Sequence, residues 1–143
     1  MPVPRAYFPR IMSAYLFPLL SFAFSLFVAC ASVFLISGAY LLFFKIDRVN
    51  AVMKHPYLAH QPFRRYPKAL QFGMLLDYFF RLSFPRTQFS LIGHANRQLA
   101  HIDPKTVPTD VKWPLIGMWG GCWLGLVAMA CVWVLLFMGA GAR

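Results

Sequence analysis

The chain has 143 residues, of which 59% are hydrophobic, 17% are aromatic and 13% are charged, and its formal net charge is +10. A soluble domain carries about 25% charged residues, so this composition excludes an ordinary soluble domain. The apolar residues are concentrated in two blocks, 12–44 and 113–142, that contain no charged residue. Uninterrupted apolar runs of about 18 residues or more are typical of membrane spans. The composition therefore predicts an all-α integral membrane protein.

The first block is longer than one membrane span requires. As a single helix it would be about 50 Å long, whereas the hydrocarbon core of a bilayer is about 30 Å thick. Pro18 cannot donate a backbone hydrogen bond and kinks helices. We therefore expect an N-terminal tail and interfacial turn over residues 1–18 and a transmembrane helix over residues 19–44. Tyr40 and Lys45 would then mark the exit into the headgroup layer.

An alternative interpretation of this block is a lipoprotein signal. The stretch FVACAS, residues 27–32, is similar to a lipoprotein cleavage box ending at Cys30. A cleaved and lipidated cysteine would remove the first span. However, apolar sequence continues as far as Phe44, where a mature lipoprotein would turn polar, and this favours an uncleaved signal anchor. Cys122 and Cys131 lie in the second block without metal-ligand spacing, and we expect all three cysteines to be small apolar residues of the spans.

The second block contains a stripe of glycines. We expect a transmembrane helix over residues 113–138 and a C-terminal tail over residues 139–143. Gly117, Gly121 and Gly125 are four residues apart and therefore lie on one face of a helix. Helices in lipid associate through close packing, and small residues at this spacing allow two backbones to approach. The spacing therefore predicts a glycine-zipper contact.

The first span offers a matching face of small residues. Ser21, Ser25 and Ala29 are also four residues apart, and the simplest arrangement packs them against the glycine stripe, so that the two spans form a hairpin. Contact of the stripe with another subunit, or self-association, is the alternative. The other side of the second helix would face lipid or a second partner, and it carries Trp119, Trp123, Leu126 and Trp133.

The connection between the spans, residues 45–112, is strongly basic. It holds eleven of the fourteen Lys and Arg residues and all four acidic residues, and eleven minus four gives a net charge of +7. The tails hold only Arg5, Arg10 and Arg143. Because positively charged loops stay in the cytoplasm, we expect a bacterial inner-membrane protein with a cytoplasmic middle segment and external termini.

The stretch HPYLAHQPFRRYPK, residues 55–68, combines aromatic and basic side chains with three prolines. The prolines predict an extended or turning chain. Aromatic and arginine side chains can stack on nucleic-acid bases, but near a bilayer each basic residue also gains about 1 kcal/mol from anionic lipid. Because the first span would hold this stretch close to the membrane, the pattern favours contact with anionic headgroups by Arg64, Arg65 and Lys68. A protein partner is the alternative, and we expect no nucleic-acid partner.

Two further helices are predicted over about residues 67–84 and 88–102. The first is too short and too polar to span a membrane, and Asp77 and Arg81, four residues apart, can pair on one side of it. The second has an apolar face and a polar face, as amphipathic helices do. We expect both to lie in the membrane interface or against the spans.

Side chains with catalytic potential are few and scattered. The acidic residues form no pair suited to acid–base chemistry, and no phosphate-binding loop, nucleophile elbow or HExxH motif occurs. His55 and His60 flank a proline turn but have no third metal ligand nearby. We therefore expect no enzyme activity, no cofactor and no metal site. A membrane-surface activity built on Asp77, His94 and Arg97 is the remaining enzymatic alternative.

The sequence favours an accessory, scaffold or assembly subunit of a larger membrane complex, such as a secretion, conjugation, respiratory or transport machine. The glycine stripe and the apolar connecting helices both require partners. A self-associating, holin-like protein that permeabilises membranes is the alternative, because it too would be small, basic and two-pass. Its pore would need a polar lining, which only the serines of the first span could supply.

The charge distribution predicts the topology. A reporter fused at about residue 70 should report a cytoplasmic location, and a reporter fused after Arg143 should report an external one, because the basic residues are concentrated between the spans. A cytoplasmic C-terminus would contradict the arrangement and require an odd number of spans.

Overall fold

The computed structural model describes the backbone of residues 7–141 and the side chains of residues 14–140. Arg5 and Arg143, which contribute to the predicted charge asymmetry, lie outside the described residues, as does the side chain of Arg10. All regular structure in the described part is helical.

Five α-helices follow one another along residues 7–141. They are α1 (Tyr7–Tyr40), α2 (Ile46–Met53), α3 (Lys68–Ser83), α4 (Ser90–Gln98) and α5 (Thr109–Gly141). A π-helical turn, Leu41–Lys45, joins α1 to α2, and two 3₁₀ turns, Pro56–Ala59 and Phe63–Arg65, lie between α2 and α3.

Within the part of the chain that the structure describes, two stretches of helix are long and apolar enough to cross a membrane, Ala14–Met53 and Thr109–Ala140. Only 6% of the apolar window of the first and 17% of that of the second is buried. A core helix of a soluble protein would be mostly buried, so their exposure sets these two apart from such helices. The prediction of an all-helical chain with two helices of membrane-spanning length is confirmed.

The first long helix extends beyond both of its predicted ends. Pro18 lies inside α1, so the helix runs through the position expected to separate the interfacial turn from the span. Proline removes one helical hydrogen bond, but in apolar surroundings the other backbone groups find no better partners than each other. The helix also continues past Phe44 into α2, which ends where Lys54 adopts a left-handed conformation with φ 44° and donates its N–H to the carbonyl of Asn50 at 2.9 Å.

The chain divides into two compact units, the first formed by the described parts of residues 1–32 and 121–143, and the second by residues 33–120. In the first unit, a Cβ added to Gly139 would lie 2.8 Å from Leu16 Cδ2, and one added to Gly125 would lie 3.5 Å from Cys30 Cβ. These two contacts are those of antiparallel segments. The exposed large side chains of this unit include Phe17, Phe22, Phe24, Trp123, Leu124, Val127, Trp133 and Phe137.

The second unit has a hydrophobic core of its own, to which the ends of both long helices contribute. Full burial of one Leu or Met side chain stabilises a fold by about 1.5–3 kcal/mol, so this core is large enough to hold the connecting segment in one conformation. Its buried members are Leu41, Ile46, Val49, Met53, Phe63, Met74, Leu75, Tyr78, Leu99, Val107, Val111, Leu115 and Met118.

A smaller cluster forms where α3 meets α4. Phe79 and Phe80 of α3 pack there with Ala95 of α4. Trp119 is partly buried and packs against both this cluster and the main core. The prediction that Trp119 faces lipid or a second partner is therefore wrong, because α3 and α4 cover α5 at this position, whereas Trp123, Leu126 and Trp133 are exposed.

Two helical glycines in this unit differ in the space around them. A Cβ on Gly93 of α4 would overlap the backbone carbonyl of Gln88, whereas nothing lies within 4 Å of the corresponding position on Gly73 of α3. Alanine is better than glycine in a helix by about 1 kcal/mol. We expect Gly73→Ala to raise the free energy of unfolding by up to about that amount, and Gly93→Ala to lower it by about 1–3 kcal/mol through the backbone overlap. Denaturant unfolding in detergent measures both, and similar effects of the two variants would contradict this packing.

Candidate functional site

Gly117 lies at the contact between the two long helices in the second unit. A Cβ on Gly117 would lie 2.5 Å from Oγ and 3.2 Å from Cβ of Ser37, which is buried. On the other helix, a Cβ on Gly38 would lie 3.3 Å from the Met118 sulfur. Each helix thus contributes a glycine to the contact, and each glycine meets a side chain of the opposite helix.

Gly121 and Gly125 lie in the first unit, and both are buried. The neighbour of Gly125 is Cys30, which is also buried. A Cβ on Gly125 would be in ordinary van der Waals contact with Cys30 Cβ, at 3.5 Å, so this part of the contact is less tight than that at Gly117.

The small residues predicted to form the matching face are exposed. Ser21, Ser25 and Ala29 all point away from the buried side of α1, which carries Ala23 and Cys30. A packing role for these three residues would therefore require a second chain, and it stays a prediction.

Aromatic and charged side chains join the two long helices near the π-helical turn. The rings of Tyr40 and Trp113 are stacked with centroids 4.9 Å apart, and Lys45 Nζ lies 6.0 Å from the centroid of the Tyr40 ring. Tyrosine, tryptophan and lysine are the side chains that anchor helices at membrane–water interfaces.

Asp110, in the first turn of α5, pairs with two cations. Lys45 Nζ lies 3.4 Å from Asp110 Oδ2 and Arg48 Nε lies 3.0 Å from the same atom. These side chains are partly exposed, so each pair contributes about 0–1 kcal/mol. The carboxylate also interacts favourably with the N-terminal end of the α5 dipole.

A buried polar cluster surrounds His55. His55 Nδ1 accepts a hydrogen bond from the backbone N–H of Tyr57 at 3.3 Å, and Nε2 lies 3.3 Å from Asp77 Oδ2. Because Nδ1 acts as an acceptor, the ring proton is on Nε2, which donates to the carboxylate. The His55 side chain is fully enclosed and that of Asp77 is 22% exposed, so this pair fixes the segment after α2 onto α3.

Tyr78 packs against this cluster. Its ring meets that of His55 edge-on with centroids 5.7 Å apart, and its hydroxyl donates to Oδ1 of Asn50 at 3.1 Å. Burial raises the pKa of the Tyr78 phenol far above its ordinary value, and the charge of Asp77 raises it further. The phenol is therefore neutral at physiological pH and serves as a hydrogen-bond donor between α3 and α2.

The predicted pair of Asp77 and Arg81 is wrong. Arg81 donates to the carbonyl oxygen of Ile102, from Nε at 3.0 Å and from Nη2 at 2.7 Å, while Asp77 faces His55. The four-residue spacing gave no sign of either partner, because His55 and Ile102 come from segments 22 and 21 residues away. Asp77 and His94 also take different partners, since His94 Nε2 lies 2.9 Å from Nε2 of Gln98.

A groove of the second unit contains two of the three predicted lipid-contact residues. It has a volume of about 510 Å³ and lies between the π-helical turn, the turn Phe63–Arg65 and the first turns of α3. Arg65 is exposed and lies outside its lining. The lining residues are Leu42, Phe43, Ile46, Phe63, Arg64, Lys68, Gln71, Phe72 and Leu75.

Among the described side chains, no group of three or more His, Cys, Asp or Glu residues is placed to hold a metal ion. No protein-family model, curated protein or solved structure matches the chain.

The glycine contact can be tested within α5 itself. Gly117 meets Ser37, whereas nothing lies within 4 Å of a Cβ on Gly120, and leucine is the better helix former at both positions. We expect Gly117→Leu to lower the free energy of unfolding by about 1–3 kcal/mol through overpacking, and Gly120→Leu to leave it unchanged or raise it. Thermal unfolding in one detergent compares the two directly. Equal effects would mean that Gly117 has no packing role.

Proposed function

We propose that the chain is a two-pass integral membrane protein in which α1 and α5 form a transmembrane hairpin, and that it acts as an accessory or scaffold subunit of a larger assembly. The membrane we propose is a bacterial inner membrane, with residues 45–112 on the cytoplasmic side. The observation that carries the subunit role is the exposed face of Ser21, Ser25 and Ala29.

The hairpin is supported by matched contacts within each unit. In the first unit, Leu16 lies against Gly139 and Cys30 lies against Gly125. In the second unit, Ser37 lies against Gly117. Within the first unit, residue numbers rise along one segment and fall along the other, as two antiparallel spans require, and small residues at such contacts are what helix association in lipid depends on.

A partner helix is supported by the contrast between the exposed faces of α1. Most exposed side chains in its apolar part are large, and lipid chains suit them. Ser21, Ser25 and Ala29 form a face of small side chains among these large ones. A serine hydroxyl that faces lipid finds no hydrogen-bonding partner there, so a second helix that supplies one would stabilise the contact. Because the intramolecular contact uses Ala23 and Cys30, this face is free for a second protein.

Self-association is the second candidate, since the same serine-containing face is the polar lining that a holin-like oligomer would need. The two candidates differ in what binds the face. An accessory subunit binds a different membrane protein, whereas a permeabilising protein binds further copies of itself and makes the membrane leaky.

Substitution of Ala29 tests the proposal, with Ala130 as a matched control. Both are exposed alanines of the first unit, so Ala→Leu changes size and apolarity equally at each. We expect Ala29→Leu to remain in the membrane but to lose its co-purifying membrane proteins after gentle detergent extraction. Ala130→Leu should retain them. Retention of the same partners by both variants would contradict the proposed face.

The same preparations separate the two candidates. Native mass measurement identifies either a complex with different proteins or a homo-oligomer, and dye uptake by expressing cells reports permeabilisation. A homo-oligomer that leaks dye, and loses both properties with Ala29→Leu, would replace the accessory role with the holin-like one.

A further inference from the structure

We propose that the groove beside the π-helical turn is a binding site for one anionic phospholipid, with an acyl chain against its apolar walls and the phosphate at Arg64 and Lys68. The inference rests on the proposed membrane location of the chain. It goes beyond a general attraction of basic residues to the membrane surface, because it assigns a defined site to a single lipid molecule.

The walls of the groove suit a hydrocarbon chain. Leu42 and Phe43 come from the π-helical turn, and Phe72 and Leu75 come from one side of α3. The volume of about 510 Å³ falls within the range of about 300–1,000 Å³ that is usual for ligand clefts. An apolar groove of this size needs an apolar occupant, and water would gain few hydrogen bonds from such walls.

The mouth of the groove suits a phosphate. Arg64 and Lys68 both line it, and Lys68 is also the first residue of α3. The first N–H groups of a helix have no partners within it, and the helix dipole favours an anion at that end. Two cations and a helix N-terminus therefore border the groove, and an anionic headgroup complements their positive charge better than a zwitterionic or neutral one does.

Hydrogen bonds fix the backbone around Arg64 and Lys68, which form the basic end of the groove, before any ligand binds. Gln71 is buried, its side-chain amide donates to the carbonyl of Tyr66 at 2.8 Å, and its amide oxygen accepts from Lys68 Nζ at 3.3 Å. Gln71 thus fixes the turn that carries Arg64 to the first turn of α3. Arg64 also has a weak exposed contact with Asp47 at 3.8 Å, which a phosphate would readily replace.

The surroundings place the groove at headgroup level. Phe43 and Phe44 are 78% and 77% exposed, and Tyr40, which directly precedes the π-helical turn along the chain, stacks on Trp113 of α5. Exposed aromatics next to an aromatic and lysine belt are typical of the membrane interface. A groove at this level opens onto lipid molecules already present in the bilayer, so the lipid needs no passage through water.

Native mass spectrometry of the purified full chain tests the site, with dioleoyl phosphatidylglycerol and dioleoyl phosphatidylcholine as probes of equal chain length. We expect one phosphatidylglycerol to remain bound at low lipid concentration, and phosphatidylcholine to bind more weakly. The double variant Arg64→Gln, Lys68→Gln should weaken phosphatidylglycerol binding about 30-fold, because each basic residue near anionic lipid contributes about a factor of five. Arg64→Gln should weaken binding more than Arg65→Gln, because only Arg64 lines the groove.

The control variant also loses two positive charges, but at positions outside the groove. Arg86 and Lys105 are exposed residues outside the groove, and Arg86→Gln, Lys105→Gln should keep one tightly bound phosphatidylglycerol. The variant Leu42→Trp fills part of the groove but leaves every charge in place, and it should weaken binding of the lipid. An unchanged unfolding temperature of this variant would show that the second unit is intact. Equal losses in both double variants would show diffuse surface attraction and overturn the site.

Two further outcomes would also overturn the proposal. Displacement of the lipid by inorganic phosphate alone would make the groove a simple anion site, and equal binding of phosphatidylcholine would remove the role of the basic end. These measurements use the isolated chain and read lipid occupancy, whereas the accessory role is read from co-purifying proteins, so failure of one is distinguishable from failure of the other.

Discussion

Close approach of the two long helices at Gly117 and Gly38 is the constraint on which the domain of residues 33–120 depends. Ser37 and Met118 occupy the space that side chains at these glycines would fill. Met118 and its neighbour Leu115 are part of the main core, together with Leu41 on the opposite helix. If the helices stood further apart, the core residues that both contribute could not meet, and α3 would lose the surface against which it packs.

The connecting segment is fixed onto this helix pair by buried polar contacts as well as by apolar ones. A buried polar group left without a partner costs about 1–3 kcal/mol, so the bonds from His55 to Asp77 and from Gln71 to Tyr66 make the native arrangement specific. The ion pairs of Asp110 are more exposed and contribute less. Their effect is to orient the first turn of α5 relative to the π-helical turn, where the groove begins.

The sequence predicted those features that depend on neighbouring residues. Two uncharged blocks were sufficient to predict two long apolar helices, because membrane-spanning length is a property of one segment at a time. The stripe of Gly117, Gly121 and Gly125 was visible for the same reason. It did not reveal which residues of the first helix meet it, since Ser21 and Ser25 have the same spacing as a packing face and yet are exposed.

The core and the polar cluster of the second unit could not be predicted in this way. His55 and Asp77 are 22 residues apart, and Lys45 and Asp110 are 65 residues apart, so no local spacing relates them. The π-helical turn Leu41–Lys45 is equally invisible, because it depends on how a long helix adjusts to its neighbours. This turn supplies Leu42 and Phe43 to the groove, so the sequence predicts lipid contact by Arg64 and Lys68 but gives no sign of the groove.

The groove and the small-residue face lie in different units and involve different chemistry, which explains how one small chain could carry both. The face at Ala29 belongs to a part of α1 where the available interactions are packing and weak hydrogen bonds between helices. The groove belongs to a domain with its own core, in which charged side chains keep contact with water and a lipid phosphate can replace part of that water. A lipid bound in the groove would add apolar surface beside Phe43 and Phe72 without adding protein. In the proposed membrane location, it would thereby extend the apolar contact between this unit and the bilayer at the level where aromatic side chains would anchor the helices.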